Sequence, residues 1–174
     1  MHRLRWLCER IDRLNAAIGR ATSWGVLAMV ALGAYNAVAR YVGRSIGINL
    51  SSNAFIELQW YLFSLVFLLG AASVLQQDRH VRVDVLYARA SPRTRAWIDL
   101  VGTVLFLIPF CGFAIWITWP SVASSWQILE SSSDPGGLPR YPIKSVTLIA
   151  FALLALQGLS QLVQAVERLR GGDE

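Results

Sequence analysis

Four long stretches without a charged residue constrain this chain more than any other feature: Ala21 to Ala39, Leu58 to Gln77, Leu100 to Leu129 and Ser145 to Val166. Their lengths, about 19, 20, 30 and 22 residues, each reach the ~20 needed to cross a hydrocarbon core as a helix. Within lipid an unpaired backbone group costs several kcal/mol, and the alternating strands of a closed barrel are missing, so helix is the conformation left. A hydrophobic share of 55% against 16% charged fits lipid as the solvent. The 174 residues thus read as one all-α integral membrane domain. Its four transmembrane helices are expected at about 21–41, 54–77, 92–129 and 142–168.

The net charge of +5 does not indicate a nucleic-acid partner, because the basic residues form short clusters between apolar runs and no basic face with interleaved aromatics can be drawn. Those clusters instead fix topology. Arg3, Arg5, Arg10, Arg13 and Arg20 precede the first span; Arg79, Arg82, Arg89, Arg93 and Arg95 lie between the second and third; Arg168 and Arg170 follow the fourth. Only Arg40, Arg44, Arg140 and Lys144 fall on the opposite side. The positive-inside rule then places both termini in the cytoplasm.

Residues 1–20 carry a different pattern. Leu4, Leu7, Cys8, Ile11, Leu14 and Ile18 recur at helical spacing, with Arg3, Arg5, Glu9, Arg10, Asp12, Arg13 and Arg20 on the other side. Such a segment is expected to form an amphipathic helix lying in the membrane interface, its basic face on lipid headgroups and Trp6 at the boundary. A leader of this length exceeds the basic region of a secretory signal, so Ala37-Val38-Ala39 is not read as a cleavage site. The third stretch is long enough to tilt, bend or project, and Pro109 and Pro120 are the expected bend points. Ser51-Ser52-Asn53 and Ser91-Pro92 supply helix starts, while Ser131 to Gly137 is dense in turn formers.

The spans hold no chemistry of their own. An ion-coupled carrier needs ionisable groups or unwound helix at the membrane midplane, and none is evident. His2 and His80 lie outside the spans, which excludes paired haem ligands; Cys8 and Cys111 read as lone thiols, and no Gly-x-Ser-x-Gly elbow occurs. The chain is not read as an enzyme and requires no cofactor. Asn36, Ser64, Ser73, Thr103, Thr118 and Gln157 are instead suited to hydrogen bonds between helices. Ala21, Gly25, Gly33 and Ala37, spaced by four or eight, and Gly70 are candidate sites of close helix packing.

Two loop motifs carry a family resemblance. Gln76-Gln77-Asp78-Arg79-His80-Val81-Arg82-Val83-Asp84-Val85-Leu86-Tyr87 and Ser131-Ser132-Ser133-Asp134-Pro135-Gly136-Gly137-Leu138-Pro139-Arg140-Tyr141-Pro142-Ile143-Lys144, with Gln157-Gly158 and the Glu57/Trp60 pair, resemble the small, four-helix permease subunit of tripartite ATP-independent periplasmic (TRAP) transporters. The motif details are nearest the mannitol, chloroaromatic or 2-oxo acid branch. The resemblance implies a bacterial inner-membrane complex with two partners. A periplasmic solute-binding protein captures the solute, and a large membrane subunit moves it with sodium while the small subunit anchors that large one. A small membrane assembly protein without a transport role is the alternative.

Within that frame Arg140, Lys144, Asp134 and Glu57 are candidates for docking the binding protein. The stiffening prolines Pro139 and Pro142 would reduce the freedom lost by Arg140 and Lys144 on binding. Asp78, Arg79, His80, Arg82 and Asp84 are expected to form a structural turn where the second helix leaves the membrane, through ion pairs of alternating sign.

Overall fold

The computed structural model describes residues 2–48, 50–78, 87 and 90–170, with the side chains of His2 and Arg3 left aside. Four helices follow one another: α1 His2–Ile46, α2 Asn53–Gln76, α3 Pro92–Gln127 and α4 Tyr141–Arg170, each long and apolar enough to cross a membrane. Neighbours in sequence run antiparallel, so α1 begins and α4 ends at the same end of the bundle. Local chemistry sets the boundaries. Ser52 caps α2 by accepting from the Ala54 N–H, and Ser91 caps α3 by accepting from the Thr94 N–H ahead of Pro92 in the first turn. At the end of α1, Gly47 takes φ 72° and the Ile48 N–H reaches back to the Gly43 carbonyl at 3.0 Å, satisfying an otherwise orphaned acceptor.

The N-terminal segment departs from expectation. Residues 2–20 form no separate helix, because α1 is a single helix of 45 residues, roughly 67 Å long at 1.5 Å per residue. The face that meets α2 higher up continues without a break through Gly19, Asn15, Asp12 and Cys8. Asn15 and Cys8 are buried there, whereas Leu4, Leu7 and Leu14 stay exposed. Polar groups on that inner line find partners on α4, which favours continuing the helix over bending it onto the membrane surface.

Small residues bring α1 and α2 together, though only part of the expected stripe takes part. A side chain added at Gly25 would press on Val66 (3.0 Å) and one at Gly33 on Gln59 (2.8 Å), while Gly70 faces Thr22. Ala21 and Ala37 are exposed. A repeat of four overshoots the 3.6-residue turn, so positions 16 apart drift by about 160° around the helix and the two ends of the stripe rotate out. Gly19, which would collide with Ser73, and the buried Ala39 lie on the line instead.

In α3 a π-helical turn, Thr103–Leu107, interrupts the α-helix just before Pro109, and the Ile108 N–H bonds to the Thr103 carbonyl. Proline lacks the N–H that would bond four residues back, and the wider turn absorbs that loss. Gly158 of α4 packs against this turn, where a Cβ would stand 2.8 Å from Leu107. Pro120 lies within the α-helical part that follows, and both prolines are exposed.

Candidate functional site

Two polar constructions hold the bundle, one at each end. At the end where α2 begins, the connection between α3 and α4 is tied down by side chains from outside it. Glu57, only 3% exposed, accepts from the Leu138 N–H at 2.6 Å and from the Ser132 hydroxyl. Tyr61 donates to the Pro139 carbonyl at 2.9 Å and Asn53 to the Pro135 carbonyl at 3.1 Å. Gly137 leaves room for this clasp, since a Cβ there would meet Ser132 and stand 2.8 Å from Glu57 Oε1. The loop closes on itself as well, through Ser132 N–H to Leu138 carbonyl (3.1 Å) and Arg140 N–H to Glu130 carbonyl (2.7 Å).

The docking candidates therefore divide. Glu57 is buried and its carboxylate holds the loop, so it is not presented to a partner. Lys144 pairs with Glu130, which also accepts from Ser125 Oγ at 2.6 Å. The Lys144 ammonium, and after it the Ser125 hydroxyl, hold the Glu130 carboxyl below the usual carboxylate range. Asp134 is exposed at the loop tip and Arg140 is half-buried at its base, close enough to Glu57 and Glu130 to act on both electrostatically. Behind the loop, Trp126 donates to Ser145 at 2.7 Å and packs edge-on against Tyr141, joining α3 to α4.

The other end is a knot of neutral amides around one carboxylate. Asp12 Oδ1 accepts from Gln157 Nε2 (3.0 Å) and Ser160 Oγ (2.9 Å), and Oδ2 from Gln164 Nε2 (3.1 Å). Asn15 Nδ2 donates to Gln157 Oε1 at 2.7 Å, Gln76 Nε2 to the Asp12 carbonyl at 2.9 Å, and Gln161 Nε2 to the Leu75 carbonyl at 2.7 Å. Asn15, Gln157 and Ser160 are almost wholly buried. Three helices are thus stitched by bonds that need no cation. Farther out, Arg5 Nε meets Glu167 Oε1 at 2.7 Å.

A family model described as "Tripartite ATP-independent periplasmic transporters, DctQ component" matches residues 19–168. The chain belongs to this family. No curated protein and no solved structure matches it. As a DctQ component it is a small membrane subunit of a TRAP transporter, and the family is one of transporter components rather than enzymes. The match takes in the knot's α2 and α4 sides but not its α1 side: Asp12 and Asn15 precede residue 19, while their partners Gln76, Gln157, Ser160 and Gln164 fall inside it.

The turn that follows α2 in this DctQ component is described in part. Asp78 takes φ 54° directly after α2 and its N–H bonds to the Leu75 carbonyl at 3.1 Å, which ends the helix in a left-handed conformation that aspartate tolerates. Arg79, His80, Arg82 and Asp84 lie outside the described residues. Tyr87 donates to Asp99 (2.9 Å to Oδ2), and the Arg95 guanidinium stands 5.4 Å from the Tyr87 ring centre.

Reasoning from sequence missed the knot. Asp12 is placed there on the headgroup-facing side of an interfacial helix, and of the knot's side chains only Gln157 is singled out as a bonding residue. A readable signal exists in α4: Gln157, Ser160, Gln161 and Gln164 follow the i, i+3, i+4, i+7 rule and form a polar stripe on an otherwise apolar helix.

Proposed function

We propose that this subunit is a fixed scaffold that anchors the large subunit of a sodium-coupled TRAP transporter for organic acid-like solutes. On this reading both its termini face the cytoplasm and its α3–α4 loop faces the periplasm. The observation that carries the scaffold reading is that both ends of the bundle are tied by buried polar groups. Glu57 clasps the loop at one end, and Asp12 with Gln157 joins α1 to α4 at the other. Such groups cost free energy when separated, so the four helices move as one body. A fixed body suits a subunit that braces a moving one. Solute selection and sodium coupling belong to the partners, since the large subunit and the binding protein supply the sites that this bundle's apolar middle does not.

The loop end is the surface on which the periplasmic solute-binding protein docks, with Arg140 and Asp134 as its accessible charges. Lys144 contributes through Glu130 rather than by direct contact. Arg140→Glu is expected to slow uptake at limiting binding protein, with the deficit shrinking as salt rises. A normally assembled variant with unchanged uptake at low salt would remove docking from this loop. Co-purification of the tagged chain with a large membrane subunit and a binding protein encoded beside it tests the wider assignment. Failure of the chain to retain either partner would favour the assembly-protein reading.

A further inference from the structure

Beside the knot, the first turns of α1 and the last turns of α4 leave a groove of about 410 Å³, within the ~300–1,000 Å³ range of small-molecule sites. Its walls are apolar: Leu4 from α1 and Leu162, Val163 and Val166 from α4. Its rim is charged, carrying Arg5, Glu167 and Arg170. An apolar slot with a basic mouth selects a molecule with a greasy body and an anionic head.

The depth of the slot narrows the choice. A 30 Å core takes about 20 helical residues. Counting from Ile143 beside the loop brings the far hydrocarbon boundary to the neighbourhood of Val163. The apolar walls then lie at the acyl boundary, and the arginines stand at headgroup level. Among the described residues that line the groove, Glu167 offsets Arg5 and leaves Arg170 in surplus. The Arg5–Glu167 bond uses the Arg5 Nε–H and leaves the terminal NH2 groups as donors suited to phosphate oxygens.

We propose that this groove binds one anionic phospholipid, its acyl chain along Leu4, Leu162, Val163 and Val166 and its phosphate on Arg170 and Arg5. A net-negative lipid is preferred over a zwitterionic one because the surplus arginine attracts the phosphate and repels a headgroup amine. The bound lipid would wedge the first turns of α1 to the last turns of α4, continuing outward the join that Asp12 and Gln157 make inside. The inference needs the chain only to be membrane-inserted and is independent of what the transporter carries.

The test is native mass spectrometry of the complex purified with its large subunit, delipidated and titrated with dioleoylphosphatidylglycerol or dioleoylphosphatidylcholine. Wild type should bind one equivalent of the phosphatidylglycerol more tightly than variant Val166→Trp, whose indole fills the slot without changing charge. Arg170→Gln should weaken that equivalent by about fivefold, the worth of one basic residue at a lipid surface, and leave phosphatidylcholine unaffected. Arg170 takes part in no ion pair among the described residues, so this variant reads headgroup recognition even if Val166→Trp disturbs packing. Equal binding of the two lipids, or an unchanged phosphatidylglycerol affinity in Arg170→Gln, would overturn the proposal. So would a photocrosslinker at Val163 that captures the large subunit in place of lipid, since the groove would then be a protein interface.

Discussion

The two ends of the bundle solve the same problem with opposite materials. At the loop end, Glu57 and Glu130 hold a turn-rich segment by accepting from its backbone and from nearby hydroxyls, with Lys144 as a charged partner. At the terminal end, Asp12 is held by neutral donors from residues 145 to 152 positions away, and no basic side chain bonds to it among the described residues. The loop end fastens a connection that would otherwise fray. The terminal end fastens helices, and it does so where a salt bridge would suffer desolvation as the hydrocarbon begins. Ties between whole helices should therefore govern stability, and ties to the loop should govern local order.

That ordering can be broken first at Gln157. Gln157→Leu removes the acceptor of Asn15 and a donor to Asp12 while leaving Asn15 buried and Asp12 half-buried, so a loss of about 2 kcal/mol is expected. If membrane-embedded partners rearrange, the loss falls toward about 0.6 kcal/mol per bond. A thermal melt of the detergent-solubilised complex measures it, together with faster amide exchange around Asn15. An unchanged melt would mean that the knot fills space without holding the helices.

Glu57 sharpens the contrast from the other side. Glu57→Ala strips the acceptor from the Leu138 N–H and the Ser132 hydroxyl, and exchange at Leu138 should rise by about tenfold, the equivalent of one lost hydrogen bond. Exchange in α1 should not change. If α1 loosens too, the two ends are coupled and the division between global and local ties fails.

The smallest effect belongs to Glu130. Its folded carboxyl titrates below the unfolded value of about 4.3, so its contribution is complete above that pH and is lost as pH falls through the lower folded value. Loop order, read from Trp126 fluorescence, should decline in acid in the wild type. Glu130→Gln should show the weakened state at every pH. A wild-type loop insensitive to acid would assign the hold to Glu57 and Tyr61 alone.

These same ends differ in how far they could be read beforehand. The four spans were legible because lipid punishes charge over any run of about 20 residues, and that rule is local. Ser52 and Ser91 were legible as caps for the same reason. The packing stripe was half legible: Gly25 and Gly33 face α2, but a four-residue repeat drifts around a 3.6-residue helix and carries Ala21 and Ala37 out. Asp12 was misplaced because amphipathic periodicity cannot say whether a polar face meets water or another helix. Its partners lie some 150 positions on, and only the polar stripe on α4 hints that something must be bonded there. Glu57 pointed to the correct region with the wrong role, since nothing local to it reveals the Leu138 N–H.

On the scaffold reading, this bundle braces a transporter and moves nothing itself. Vesicles under a sodium gradient, holding first the chain alone and then the chain with its large subunit and binding protein, decide this. The chain alone should give uptake at the protein-free background, and solute should accumulate once both partners are present. Sodium-driven uptake by vesicles holding only this chain would contradict it.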